Sequence, residues 1–254
     1  MCPSATEMKS QNILFFTVHK AASMFIYRIC HDLAKEVGLP YYSINHNKRS
    51  RYYFDTEETD LADLRNWGSR HGCFAPLRYY FQVPEELTAK VILHLRDPRD
   101  VLVSLFYSEA YSHSVIKGVF DLDESERGEL RDRGIDRYVL AMADEFNEKY
   151  QYYNRFMSLE NMVFVKYEDL VLDFPKWLDE VANGFGIAEQ GFRQKLLRKY
   201  RNEFNVKREN VYSHKRKIVP GDYLEKLQPE TINRLNEIFA ENLKLYQYDA
   251  GSAE

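Results

Sequence analysis

Cysteine is scarce in this chain: Cys2, Cys30 and Cys73 are three in 254 residues, odd in number and without a metal-ligand spacing. That excludes a disulfide framework and points to a reducing compartment. No apolar run approaches the ~18 residues of a membrane-spanning helix, and no basic-then-apolar signal segment opens the sequence. The chain therefore reads as soluble and cytoplasmic, with no membrane span. An excess of positive charge is missing too: 35 Lys and Arg stand against 39 Asp and Glu, a net charge of −4, which excludes a general nucleic-acid-binding surface. The Gly-rich loop with paired Gly-Lys of nucleoside-triphosphate sites is absent, as are repeats and linkers. What is present, 44% hydrophobic and 15% aromatic residues, can bury a substantial core and suits one α/β domain better than two.

Residues 91–107, VILHLRDPRDVLVSLFY, join an apolar run of strand length to a helix. Asp97 is an N-cap candidate and Pro98 favours the first helical position, while Asp100 completes a capping-box-like pattern. Arg96, at the junction, sets a planar five-donor cation beside the free N–H groups and positive dipole end of that helix. An anion is favoured there, and Ser104, two turns further on, offers a hydroxyl to the same ligand. The plain alternative is a surface ion pair of Arg96 with Asp97 or Asp100.

A second strand candidate, residues 12–18 (NILFFTV), runs into His19-Lys20-Ala21-Ala22-Ser23. Ile26, Ile29, Leu33 and Val37 then recur at helical spacing, and Gly38 and Pro40 end the segment. A lysine in a tight turn between strand and helix suits a phosphate, whose oxygens the amides cradle while the ammonium neutralises their charge. Together the two segments read as parallel strands of one sheet, with both helix N-termini at the edge where open α/β sheets bind nucleotides.

Elsewhere, Ile135, Val139, Met142, Phe146, Tyr153 and Phe156 predict a long packed helix ahead of a strand at 162–166. Pro229 followed by Ile232, Leu235, Phe239 and Leu243 predicts one C-terminal helix. Residues 41–60 and 108–133 lack periodicity and read as long loops, of the kind that form lids or binding walls. His94, inside a strand, reads as a satisfied core histidine, and Cys30, on the first helix, as a small core residue.

Four stretches in order resemble the sulfotransferases that use 3′-phosphoadenosine 5′-phosphosulfate. Residues His19-Lys20-Ala21-Ala22-Ser23-Met24-Phe25 correspond to that family's Pro-Lys-Ser-Gly-Thr-Thr-Trp loop, with Lys20 kept and the glycine replaced. Arg96 and Ser104 match its arginine followed eight residues later by serine. Tyr167-Glu168-Asp169-Leu170 resembles its Tyr-Glu-Asp-Leu segment. Arg216-Lys217-Ile218-Val219-Pro220-Gly221-Asp222-Tyr223 resembles its Arg-Lys-Gly-x-x-Gly-Asp-Trp loop, with Ile218 at the first glycine.

The resemblance implies a single three-layer α/β domain of phosphate-loop type over residues 1–254, with its core at about 12–248 and a central, mostly parallel sheet flanked by helices. It also implies sulfuryl transfer from the phosphosulfate donor to a hydroxyl of a small molecule, lipid or saccharide, leaving adenosine 3′,5′-bisphosphate and using no metal. Lys20 and residues Ala21, Ala22, Ser23 and Met24 would serve the reacting end. Arg96, Ser104, Arg216, Lys217 and Ile218 would hold the 3′-phosphate, and Phe25 and Tyr167 would pack on adenine. His71, in a segment that loosely resembles the family's histidine region, is the expected general base; His46, Glu109 and His113 are its substitutes. His19 takes the family's proline position and would lie beside the donor phosphate. The partners are then the donor and a hydroxyl-bearing acceptor, with room for an oligomer. The competing classes are a kinase-like phosphotransferase, set apart by a metal-binding apparatus, and a nucleotide-binding module that has lost transfer.

Overall fold

A computed structural model of the protein describes residues 11–42, 71–78, 89–112, 122–160, 162–204, 209–212 and 216–248. Along the chain these form β1 (Asn12–Thr17), α1 (Ser23–Glu36), β2 (Tyr41–Tyr42), β3 (Cys73–Leu77), β4 (Ala89–Leu95) and α2 (Pro98–Tyr107). A π-helical turn (Ser108–Ser112), α3 (Glu124–Arg133), α4 (Ile135–Asn154), a 3₁₀ turn (Arg155–Ser158) and β5 (Met162–Lys166) follow. The chain continues through α5 (Tyr167–Leu172), α6 (Phe174–Gly184), α7 (Gln190–Tyr200), α8 (Asp222–Lys226), α9 (Pro229–Ile238) and α10 (Ala240–Leu245). Two compact units result, one of Met1–Leu95 with Phe156–Arg201, the other of Arg96–Arg155 with Asn202–Glu254.

The first unit is built on a five-stranded sheet in the order β2-β3-β1-β4-β5, with every described pairing parallel. Its central strand β1 is buried along its whole length, as a parallel strand covered on both faces must be. Helix α1 packs on β3, and α6 packs on β4 and β5. The apolar stripe expected on α1 is buried as Phe25, Ile26, Ile29, Cys30, Leu33 and Ala34. Each of the larger side chains in that stripe is worth roughly 1.5–3 kcal/mol of burial. Beyond α1, Gly38 takes a φ of 72° that ends the helix where expected. Trp177 of α6 is fully buried and donates its indole N–H to His94 Nδ1 at 3.1 Å, which makes His94 the core histidine its strand position predicts.

The second unit is helical. Helix α4 is its spine, with α2, α3, α9 and α10 packed on it. The predicted long helix ahead of a strand is present. Two expectations change, however. Residues 108–133 are not one loop: the π-helical turn opens the segment, and α3 closes it behind a capping box in which Asp123 and Glu126 satisfy each other's backbone N–H. The C-terminal helix is broken at Phe239 (φ −91°, ψ 7°) into α9 and α10, and the Phe239 ring at the break is buried beside Tyr150.

Candidate active site

Parallel pairing decides which residues share an edge. Thr17 lies opposite His94, Leu77 opposite Phe16 and Lys166 opposite Leu95, so β1, β3, β4 and β5 all end together. The chain leaves β1 through α1 toward β2 on one side, while β4, the neighbour on the other side, leads on to β5. Connections therefore diverge next to β1, the place where open α/β sheets form their ligand crevice. In the first unit this edge carries residues 18–22 after β1, Arg78 after β3 and Tyr167 after β5. Arg96 follows β4 directly in the chain.

The loop after β1 has an unusual backbone. Lys20 (φ 64°) and Ala22 (φ 59°, ψ 34°) are both left-handed and flank Ala21, which is not. Alternating handedness of this kind turns successive N–H groups to one side, forming an anion-binding concavity. Ala22 is the N-cap of α1; among the described residues no side-chain cap hydrogen bond closes that helix, and its first turn holds no acidic residue. A positive dipole end of this kind suits an anion. Lys20 and Ser23 are partly exposed, Ala21 is buried and Met24 is 52% exposed.

Neither predicted adenine ring offers an open face. Phe25 is 3% exposed, with the rings of Phe174, Trp177 and Tyr200 centred 5.2 to 6.0 Å away. Tyr167 is 5% exposed, with His94 at its edge. As placed, both rings serve the core, because aromatic surface next to Trp177 is better covered than left open.

The expectation for His71 fails on register. Cys73 pairs with Ile13 and Tyr41, the Gly72 N–H donates to Asn12 Oδ1 at 2.8 Å, and Gly72 O accepts from Ile13 N–H. His71 therefore precedes β3 at the edge where β1 begins. With about 3.3 Å of rise per residue it stands roughly 20 Å from the Lys20 loop. Arg78, which sequence reasoning passed over, is the residue that emerges at the phosphate-loop edge from this strand. A half-buried cation at the C-terminal end of a parallel strand was the available signal. His19 is buried in the loop itself. Glu109 lies in the π-helical turn, where its Oε2 accepts from Tyr138 Oη at 2.7 Å. His46 and His113 lie outside the described residues.

In the second unit, α2 begins as predicted, with Asp97 accepting from Arg99 N–H at 2.9 Å and Pro98 in the first turn. The Asp97 carboxylate also grips the Arg99 guanidinium at 2.6 and 3.0 Å. Burial works against the charged Arg99, but Asp97 outweighs it and raises its pKa. Asp100 closes no capping box. Fully buried, it accepts instead from Gly221 N–H at 2.8 Å and Tyr223 N–H at 3.0 Å, and lies 3.5 Å from Arg96. Burial raises the Asp100 carboxyl against the opposing pull of Arg96 and those amides. Arg96 does pair with Asp100, as the plain alternative had it, but in the interior: it is 3% exposed and Tyr150 Oη donates to its backbone carbonyl.

Asp100, Ser104 and Tyr107 recur at spacings of four and three, and so share one face of α2, with Arg96 just ahead of its N-cap and paired with Asp100. The late loop is seated on that face. Arg216 stacks 4.0 Å over the Tyr107 ring and pairs with Glu209 and Asp222. Lys217 reaches Asp222 at 2.9 Å and Glu225 at 2.6 Å. Burial pushes the Asp222 carboxyl up, but the two cations outweigh it and hold it below the usual range. Ile218 stays out of the left-handed region, so replacing the family's glycine costs no strain, whereas Gly221 uses its freedom with a φ of 81°.

A model of the sulfotransferase domain matches residues 76–247. Comparison with curated proteins finds no match. Among solved structures, the mouse sulfotransferase SULT7A1 complexed with PAP superposes with a TM-score of 0.60 at 15% identity, over 96% of this chain and 93% of that one. Retinol dehydratase with retinol and PAP gives 0.53 at 16% identity, over 93% and 82%. The same enzyme with androsterone and inactive cofactor PAP gives 0.51 at 17%, over 96% and 82%. At these identities the likeness is one of fold.

Proposed function

Because the chain belongs to the sulfotransferase domain family, we propose that it transfers a sulfuryl group from 3′-phosphoadenosine 5′-phosphosulfate to a hydroxyl of a small molecule, lipid or saccharide. The observation that carries the donor assignment is the loop after β1, with its two left-handed residues, its lysine and an α1 N-terminus that no described side chain caps. The acceptor oxygen attacks sulfur, the bond from sulfur to the 5′-phosphate oxygen breaks, and the electron pair leaves on that oxygen. Lys20 and the loop amides neutralise the charge that develops there, so their interaction strengthens toward the transition state. Arg96, Ser104, Arg216 and Lys217 hold the remote 3′-phosphate and orient the donor. No helix among the described residues is long and apolar enough to cross a membrane. Cys30 and Cys73, buried as free thiols, support a reducing cytoplasmic setting.

The test is transfer of radiolabelled sulfuryl to a panel of alcohol, phenol, lipid and saccharide acceptors, with Lys20→Ala alongside wild type. Transfer that Lys20→Ala depresses in kcat more than in donor KM supports the assignment. Labelled phosphoryl transfer from ATP, with none from the phosphosulfate, contradicts it.

A further inference from the structure

Asp100 presents a puzzle for a phosphate site, because a buried carboxylate beside anion-binding cations subtracts charge that the ligand needs. What it supplies is connectivity. Its Oδ2 accepts from Gly221 N–H and faces Arg96 Nη2, and its Oδ1 accepts from Tyr223 N–H. Tyr223 is gripped again from the neighbouring position of α2, where Arg99 lies 4.1 Å over its ring. Gly221 is the N-cap of α8 with φ 81°, a conformation that leaves its N–H free to meet Asp100. One carboxylate thus ties the arginine of the first phosphate motif to the closing turn of the second, across 121 and 123 positions of sequence.

We propose that Asp100 is a positioning residue that sets the preference of this site for a nucleotide with a 3′-phosphate. It holds Arg96 and the turn following Arg216 and Lys217 in one fixed arrangement, so that their cations meet a phosphate that AMP lacks. The inference rests on the donor reading above and deepens it. A carboxylate that only filled space would need neither two backbone amides nor an arginine, and an uncoupled late loop would have to be ordered anew each time a donor bound.

The experiment titrates adenosine 3′,5′-bisphosphate and 5′-AMP into wild type, Asp100→Asn and Asp100→Ser, with Ile232→Val in α9 as a purely packing control. Asparagine keeps the shape but turns a donor toward one of the two amides. Serine keeps a small polar group without charge or reach, should asparagine fail to fold. Wild type and Ile232→Val should both favour the bisphosphate. The Asp100 variants should lose about tenfold of bisphosphate affinity, as expected when a hydrogen-bonded charge is removed, while AMP affinity changes less than about twofold. In turnover, the donor KM should rise more than kcat falls. An unchanged bisphosphate-to-AMP ratio in the Asp100 variants overturns the positioning role even if they melt earlier. A wild type without the preference overturns the donor reading, and the inference with it.

Discussion

Ala22 holds a left-handed backbone where the loop enters α1, a conformation that costs an L-residue with a side chain roughly 1–2 kcal/mol. Strain of this kind persists where the surroundings demand it and collects at ligand sites. Ala22→Gly should therefore stabilise the protein by about 1 kcal/mol in urea unfolding, while Ala21→Gly, at a buried residue without positive φ, should destabilise it. His94 makes a second residue-level prediction. Burial lowers its pKa to about 3, against a weaker pull from the Ala21 backbone, whereas unfolded it titrates near 6.5. Between those values the unfolded chain binds the extra proton, so stability is full above the unfolded pKa and lost as pH falls. Wild type should lose about 1 kcal/mol more than His94→Gln between roughly pH 6 and 5; equal losses would show that His94 stays charged in the fold. Lys20, Arg96 and Ser104 are singled out by the sequence itself, because residue type and local spacing are enough to mark them as candidates. Asp100 is not, since its partners lie more than a hundred positions away and its local pattern imitates a cap.

At the scale of elements, strand direction matters more than motif wording. His71 sits at the right distance along the chain from both phosphate motifs, but β3 runs parallel to β1 and begins after it, which puts His71 at the opposite edge. His71→Ala should leave sulfuryl transfer within about twofold of wild type, because a general base must come within hydrogen-bond reach of the acceptor; a loss of a hundredfold would mean the β1–β3 register is wrong. Strands β1, β4 and β5 and the first two helices were readable from apolar periodicity and proline and glycine punctuation, whereas β2, two residues long and inside a stretch read as a loop, and β3, five residues with a proline, were not. Helix α3 was not, because its sequence, ESERGELRDR, is nearly all polar and buries Arg127 rather than an apolar stripe. The break at Phe239 was equally hidden, since Phe239 and Leu243 keep helical spacing across it.

For the whole molecule, each of the two compact units carries its own set of candidate anion-binding features. The first carries the left-handed loop, Lys20 and the strand edge; the second carries Arg96, Ser104 and the late loop docked on α2. In the second unit Arg216 and Lys217 each already hold a carboxylate partner, so a phosphate that bound them would have to exchange those partners. Isothermal titration of the wild-type protein with adenosine 3′,5′-bisphosphate, 5′-AMP and ATP separates a 3′-phosphate site from a triphosphate site. The bisphosphate should bind at least about tenfold more tightly than AMP, as one additional charge-assisted phosphate contact would give, and more tightly than ATP. Equal affinity for the bisphosphate and AMP, or a preference for ATP, would contradict a 3′-phosphate site.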